Sequence, residues 1–155
     1  MEWWQPLIGV IVGALLTAWL QRRTIRDERA VRQKTELCNA MHGLLMEIDE
    51  HLELSKIDPM GMRLVFPTDM WEVHKRKVAD LPLTVQESLH KGYSSIRKIN
   101  TITQPALAYA HKYHVGDFDK RYLDEVREAN EPVRKAREEL AKWLAEEGCG
   151  EPRSG

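Results

Sequence analysis

Few side chains in this chain stand at spacings that do chemistry, and Glu87-Ser88-Leu89-His90 is the most specific of them. A Glu-x-x-His places a carboxylate and an imidazole on one helix face, as in di-iron bundles, but such a site needs two copies of the motif and two further Glu from facing helices. The second copy is absent. Glu47 and His51 stand four apart and would meet on a helix, where core or surface polar contacts account for them without a metal. His111 and His114 stand three apart with no third ligand near them, so zinc is not expected. Neither Ser nor Cys occupies a nucleophile elbow, and no Gly-rich loop precedes a helix where phosphate would bind. No catalytic residue, cofactor or metal site is therefore expected, and the chain reads as a non-enzyme.

Two further groups invite a structural reading. Cys38 and Cys149 are too few for a disulfide framework and lack metal-ligand spacing, so one is expected as an apolar core thiol and the other as an incidental thiol in a loose tail, both in a reducing compartment. Asn100 stands where a heptad pattern would bury it. A buried amide left without partners costs about 1–3 kcal/mol, so Asn100 is expected to be hydrogen-bonded and to fix helix register.

The elements that would position these residues begin with an apolar run, Trp3 to Leu20, followed at once by Gln21-Arg22-Arg23 and then Arg26, Arg29 and Arg32. Eighteen residues at about 1.5 Å rise make roughly 27 Å of helix, close to the hydrocarbon thickness of a bilayer. Trp3 and Trp4 at one end and Trp19 at the other suit the two polar–apolar boundaries. A cleaved signal peptide would need a basic stretch before the run and a small-x-small site after it, and neither is present. The reading is a transmembrane anchor over residues 1–23 with Trp3, Trp4, Trp19, Arg22 and Arg23 at the membrane interface. Basic side chains cluster only after the run, so the positive-inside rule places the N-terminus outside and the body in the cytoplasm, beneath the cell's inner membrane. The same arginines suit anionic lipid headgroups. Gly9, Gly13 and Thr17 recur every four residues, a possible helix–helix face for a homodimer.

After the anchor, the first breaker is Asp58-Pro59, so the anchor is expected to continue into a long cytoplasmic helix. Its apolar face is Leu37, Cys38, Met41, Leu44, Leu45, Ile48 and Leu52. Residues 57–67 read as a connection. Asp69 followed by Glu72 resembles a capping box for a short helix to about Ala79, with Trp71 and Val78 inward. Pro82 suits the first turn of a helix bearing Val85, Leu89, Tyr93, Ile96 and Thr103, which Pro105 should end or kink. A last helix from about Phe118 to Glu147 carries its register across Pro132 to a Gly148 C-cap, with a disordered tail at 149–155. The expectation is an all-α fold: a single N-terminal transmembrane helix continuing into a small antiparallel cytoplasmic helical bundle over residues 24–148, with coiled-coil-like periodicity. The first 35 residues hold six basic and three acidic side chains, which leaves the body mildly acidic and argues against nucleic acid as a partner.

Gly43-Leu-Leu-Met-Glu-Ile-Asp-Glu-His51-Leu-Glu-Leu54, then Trp71, Leu81-Pro82 and Tyr93-x-x-Ile96-x-x-x-Asn100 together resemble a widespread set of uncharacterised small bacterial proteins. Those have one N-terminal membrane helix and a body patterned LLxEIxxNLxxL, W, LP and YxxIxxxN. His51 stands at the pattern's Asn. The resemblance covers about residues 1–104 and implies architecture without a mechanism. Two roles compete: a membrane-anchored interaction or scaffolding protein with an unknown protein partner, or a membrane effector, toxin-like or defensive, that oligomerises in the bilayer. An effector pore would need polar residues along the membrane helix, and only Thr17 qualifies.

Overall fold

No helix breaker separates the apolar run from the arginines or from the apolar face beyond them, and α1 accordingly spans Gln5–Leu54. The structure, a computed structural model, describes residues 5–56, 65–108 and 115–150. They contain α1, α2 (Asp69–His74), a 3₁₀ turn (Lys77–Asp80), α3 (Leu83–Ala108) and α4 (Val115–Glu146). The short helix expected to reach Ala79 is thus divided between α2 and the 3₁₀ turn. α3 runs on past Pro105 to Ala108, and α4 opens a little ahead of Phe118. Pro132 lies inside α4, which continues across it as the apolar register required.

The chain divides into two units, Met1–Leu37 and Cys38–Gly155. In the first, the side chains of residues 19–36 are exposed on every face of the helix. Local bonds decorate it: Thr24 and Thr35 return their hydroxyls to the carbonyls of Leu20 and Val31, and Arg32 pairs with Glu36 at 3.1 Å. Among the described residues no helix is long and apolar enough to cross a membrane. The run read from sequence as the transmembrane helix opens with Trp3 and Trp4, which lie outside the described residues.

The second unit is an all-helical bundle whose directions follow from its cross-helix contacts. Cys38 meets Cys149 while Asp49 pairs with Arg137, so α1 and α4 run oppositely. Gly92 lies against Pro132 and Ala136 while Lys98 meets Glu125 at 2.6 Å, so α3 and α4 also run oppositely. α1 and α3 are therefore parallel to each other, a departure from the all-antiparallel expectation. The connection between them, with α2 and the 3₁₀ turn inside it, carries the chain back along the bundle, as only antiparallel neighbours tolerate a short link.

The core follows most of the stripes that the periodicities marked: Met41, Leu44 and Ile48 from α1, Val85, Leu89, Tyr93, Ile96 and Thr103 from α3, and Val126, Ala129, Val133, Ala136 and Leu140 from α4. Ile99 joins them unmarked, and Leu45 and Leu52, expected on the α1 face, are half-buried. Small residues set the α3–α4 distance. A Cβ on Gly92 would lie 3.1 Å from the Ala136 Cβ, so the helices approach there as closely as glycine permits. α4 ends in a Schellman motif: Gly148 takes φ +65°, its N–H reaches the Ala145 carbonyl at 3.2 Å, and the Cys149 N–H reaches the Leu144 carbonyl at 3.0 Å. That turn aims Cys149 back at α1, where it forms a disulfide with Cys38 across a Cα–Cα distance of 5.5 Å. The two separate thiols expected from sequence are thus one bond. Cys149 and Gly150, read as the start of a loose tail, are held further by His42, whose Nε2 donates to their carbonyls at 3.3 and 3.1 Å.

Trp71 is the large side chain that closes the bundle against α2. It is 3 % exposed, stacks on Tyr93 with centroids 4.4 Å apart, and meets His90 edge-on at 5.0 Å. Replacing Trp71 with Ala is expected to lower unfolding free energy by about 3–5 kcal/mol in a urea titration. A midpoint equal to that of the unmodified protein would contradict the burial.

Candidate functional site

α2 is six residues long, too short to persist without help, and its first N–H groups need acceptors. The anticipated capping box does not supply them. Thr68 is the N-cap and makes no side-chain cap bond, while the Glu72 carboxylate turns outward to Lys75 and Arg97. Those two cations hold the exposed Glu72 carboxyl below its ordinary range, the Lys75 hydrogen bond contributing most.

Glu47 on α1 does the capping from across the bundle. Its Oε2 accepts the Met70 N–H at 2.7 Å, and its Oε1 accepts both the Trp71 N–H at 3.2 Å and the Tyr93 hydroxyl at 2.8 Å. The side chain is 5 % exposed, so the three donors replace water around a carboxylate that also faces the positive end of α2. Burial first, then the Glu47 charge and its hydrogen bond, push the Tyr93 hydroxyl well above the usual phenol range, so it remains a donor. Asn100 makes a similar attachment from α3. Its Oδ1 accepts the Phe66 N–H at 2.9 Å and its Nδ2 donates to the Phe66 carbonyl at 2.8 Å. The amide is hydrogen-bonded as anticipated, but it fastens the connection to α3 rather than setting register between helices.

His51, one turn beyond Glu47, is 0 % exposed and packs against Phe66 with ring centroids 4.1 Å apart. Neither ring nitrogen has a hydrogen-bond partner among the described residues. Burial lowers its pKa from 6.5 to about 4, so the ring is neutral at pH 7 and packs as an apolar group.

These groups build structure. Both oxygens of Glu47 are committed to donors that also fix the fold. Glu87 and His90 are exposed, and the His90 ring meets Trp71. Among the described residues no group of three or more His, Cys, Asp or Glu is placed to hold a metal ion; His111 and His114 lie outside them. Of the interface residues read from sequence, Trp19 and Arg22 are exposed, and the Arg23 guanidinium sits 5.6 Å over the Trp19 ring. Gly9, Gly13 and Thr17 all lie within α1, whose pitch puts that spacing on one face. The sequence reading did not single out the apolar shoulder where α2 rests on α1. Met70 covers Gly43, and Met46, Met70 and Val73 are 68 %, 44 % and 70 % exposed. No known protein family, curated protein or solved structure matches the chain.

His51 makes stability depend on pH. The unfolded chain takes up a proton near pH 6.5 that the folded chain refuses until about 4, so stability is complete above 6.5 and declines as pH falls between those values. The expected loss between pH 7 and 5 is about 2 kcal/mol in urea unfolding, absent in His51→Asn. Equal declines in the two proteins would contradict this origin.

Proposed function

We propose that the chain is a non-enzymatic, single-pass membrane protein whose helical body faces the cytoplasm and serves as an interaction or scaffolding module. The observation that carries the proposal is the uncharged run Trp3–Leu20, bracketed by Trp and followed directly by arginines, on the same helix α1 that supplies the body's first core face. Trp3, Trp4, Trp19, Arg22 and Arg23 would sit at the two bilayer surfaces. The anchor would hold the body near the membrane and raise its effective concentration toward a partner there.

The support for a binding role is the use of polar groups in the body. Glu47, Tyr93 and Asn100, which an enzyme would leave free to meet substrate, are bonded to backbone or to one another. Apolar side chains stay exposed where α1 and α2 meet, at Met46, Met70 and Val73. A second copy is a candidate partner through Gly9, Gly13 and Thr17 in the bilayer. The mildly acidic body disfavours nucleic acid. The resemblance to small bacterial membrane proteins agrees with the same architecture.

Paired fusions at Gly155 test the orientation. A green fluorescent protein fusion is expected to glow at the cell periphery, and an alkaline phosphatase fusion to be inactive. Active phosphatase with a dark fluorescent fusion would overturn the cytoplasmic placement, and fluorescence spread through the cell would overturn the anchor.

A further inference from the structure

We propose that the Cys38–Cys149 bond is a reversible thiol–disulfide site whose partner is a protein dithiol of the thioredoxin class. The inference rests in part on the cytoplasmic placement above: disulfides in a reducing compartment are transient, catalytic or sensing, whereas structural ones belong to oxidising compartments. The geometry contributes the rest independently.

The bond joins α1 to the residues just beyond α4, with the chain's two cysteines both consumed. Its position is built by two features. The Schellman turn at Gly148 reverses the chain, and His42, one turn after Cys38 on α1, donates from Nε2 to the carbonyls of Cys149 and Gly150. Both acceptors are carbonyl oxygens, so that nitrogen carries the proton. The two cysteines therefore stay close when the bond is open, and the pair can close again without a search by the chain. The two residues differ in exposure. Cys38 is 8 % exposed on the core face of α1, whereas Cys149 is half-buried and followed by the exposed Gly150.

That asymmetry orders the exchange. A thiolate of the partner attacks the Cys149 Sγ, a mixed disulfide forms there, and the electron pair of the broken bond leaves on the Cys38 Sγ, which takes a proton from water. The partner's second thiolate then attacks its own sulfur in the mixed disulfide, releasing the Cys149 thiolate to be protonated. The partner ends as a disulfide, and this chain holds two thiols. An oxidised partner of the same class runs the steps backward. Reduction removes the covalent link between the end of α4 and α1 and leaves the His42 hydrogen bonds and packing there.

The test uses the purified full-length protein and a thioredoxin from which the resolving cysteine has been removed. Capture as a mixed disulfide is expected on Cys149, identified by peptide mass, and absent from Cys149→Ser. With intact thioredoxin, maleimide labelling of thiols is expected to appear at least about tenfold faster than with glutathione at equal thiol concentration. Capture on Cys38, no capture at all, or equal rates with both reductants would overturn the site. Circular dichroism of Cys38→Ser separates loss of the bond from loss of the fold. In cells, acid-trapped protein is expected to carry two free thiols at rest and none after a diamide pulse; a thiol state unmoved by the pulse would overturn reversibility there. Topology fusions read separately distinguish the two ideas, since a body outside the cytoplasm removes the placement while the capture experiment still decides the site.

Discussion

A single buried carboxylate decides where the middle of this chain goes. Glu47 lies in the core face of α1 with little access to water, and a charge there is tolerable only if donors replace its hydration. It finds them in two backbone N–H groups at the start of α2 and in the Tyr93 hydroxyl of α3. One side chain thereby ties three segments together. Because the two amides belong to Met70 and Trp71, the same bonds set the Trp71 indole in its stack on Tyr93. Asn100 repeats the device three residues before the turn of α2 by pairing with both backbone groups of Phe66. The return connection between two parallel helices is thus held by side chains reaching out from those helices.

How much of this was legible in the sequence varied with the range of the physics involved. Short-range periodicity marked most of the apolar core of α1, α3 and α4, missing Ile99 and placing the half-buried Leu45 and Leu52 on the core face, and Gly148 marked the end of α4. The continuation of α4 through Pro132 was legible too, since Val126, Val133 and Leu140 keep one register across it. The polar contacts were not, because they join residues remote in sequence. Glu47 to Met70, Asn100 to Phe66 and Cys38 to Cys149 depend on how helices dock, and spacing along the chain carries no information about that. Asp69 and Glu72 have the spacing of a capping box, but the stronger acceptor came from another helix and left Glu72 to surface cations. The parallel course of α1 and α3 was hidden for the same reason.

Four side chains that the sequence pattern singled out gain a physical meaning from this packing. Glu47, Trp71, Tyr93 and Asn100 are the four side chains that fasten the return connection. His51, at the pattern's Asn position, sits against Phe66 with its ring nitrogens unpaired among the described residues. An imidazole there trades hydrogen bonding for ring contact and acquires a depressed pKa as the consequence. Glu47, Tyr93 and Asn100 thus direct their polar groups to backbone or to one another and hold the shape of the body. Outward, Met70 covers Gly43, and Met46 and Val73 stay exposed.

Hydrogen exchange of individual amides tests the role of Glu47 most directly. In the unmodified protein the Met70 and Trp71 amides are expected to be protected along with the core of α3. Glu47→Gln removes the charge that both amides use, and hydrogen bonds to charged groups are worth about 1.5–3 kcal/mol, so these amides should exchange roughly 10- to 100-fold faster. Amides in the middle of α4 should change far less, since their bonds lie within the helix. Unchanged protection at Met70 and Trp71, or an equal loss throughout the bundle, would contradict the claim that Glu47 fastens α2 to the bundle.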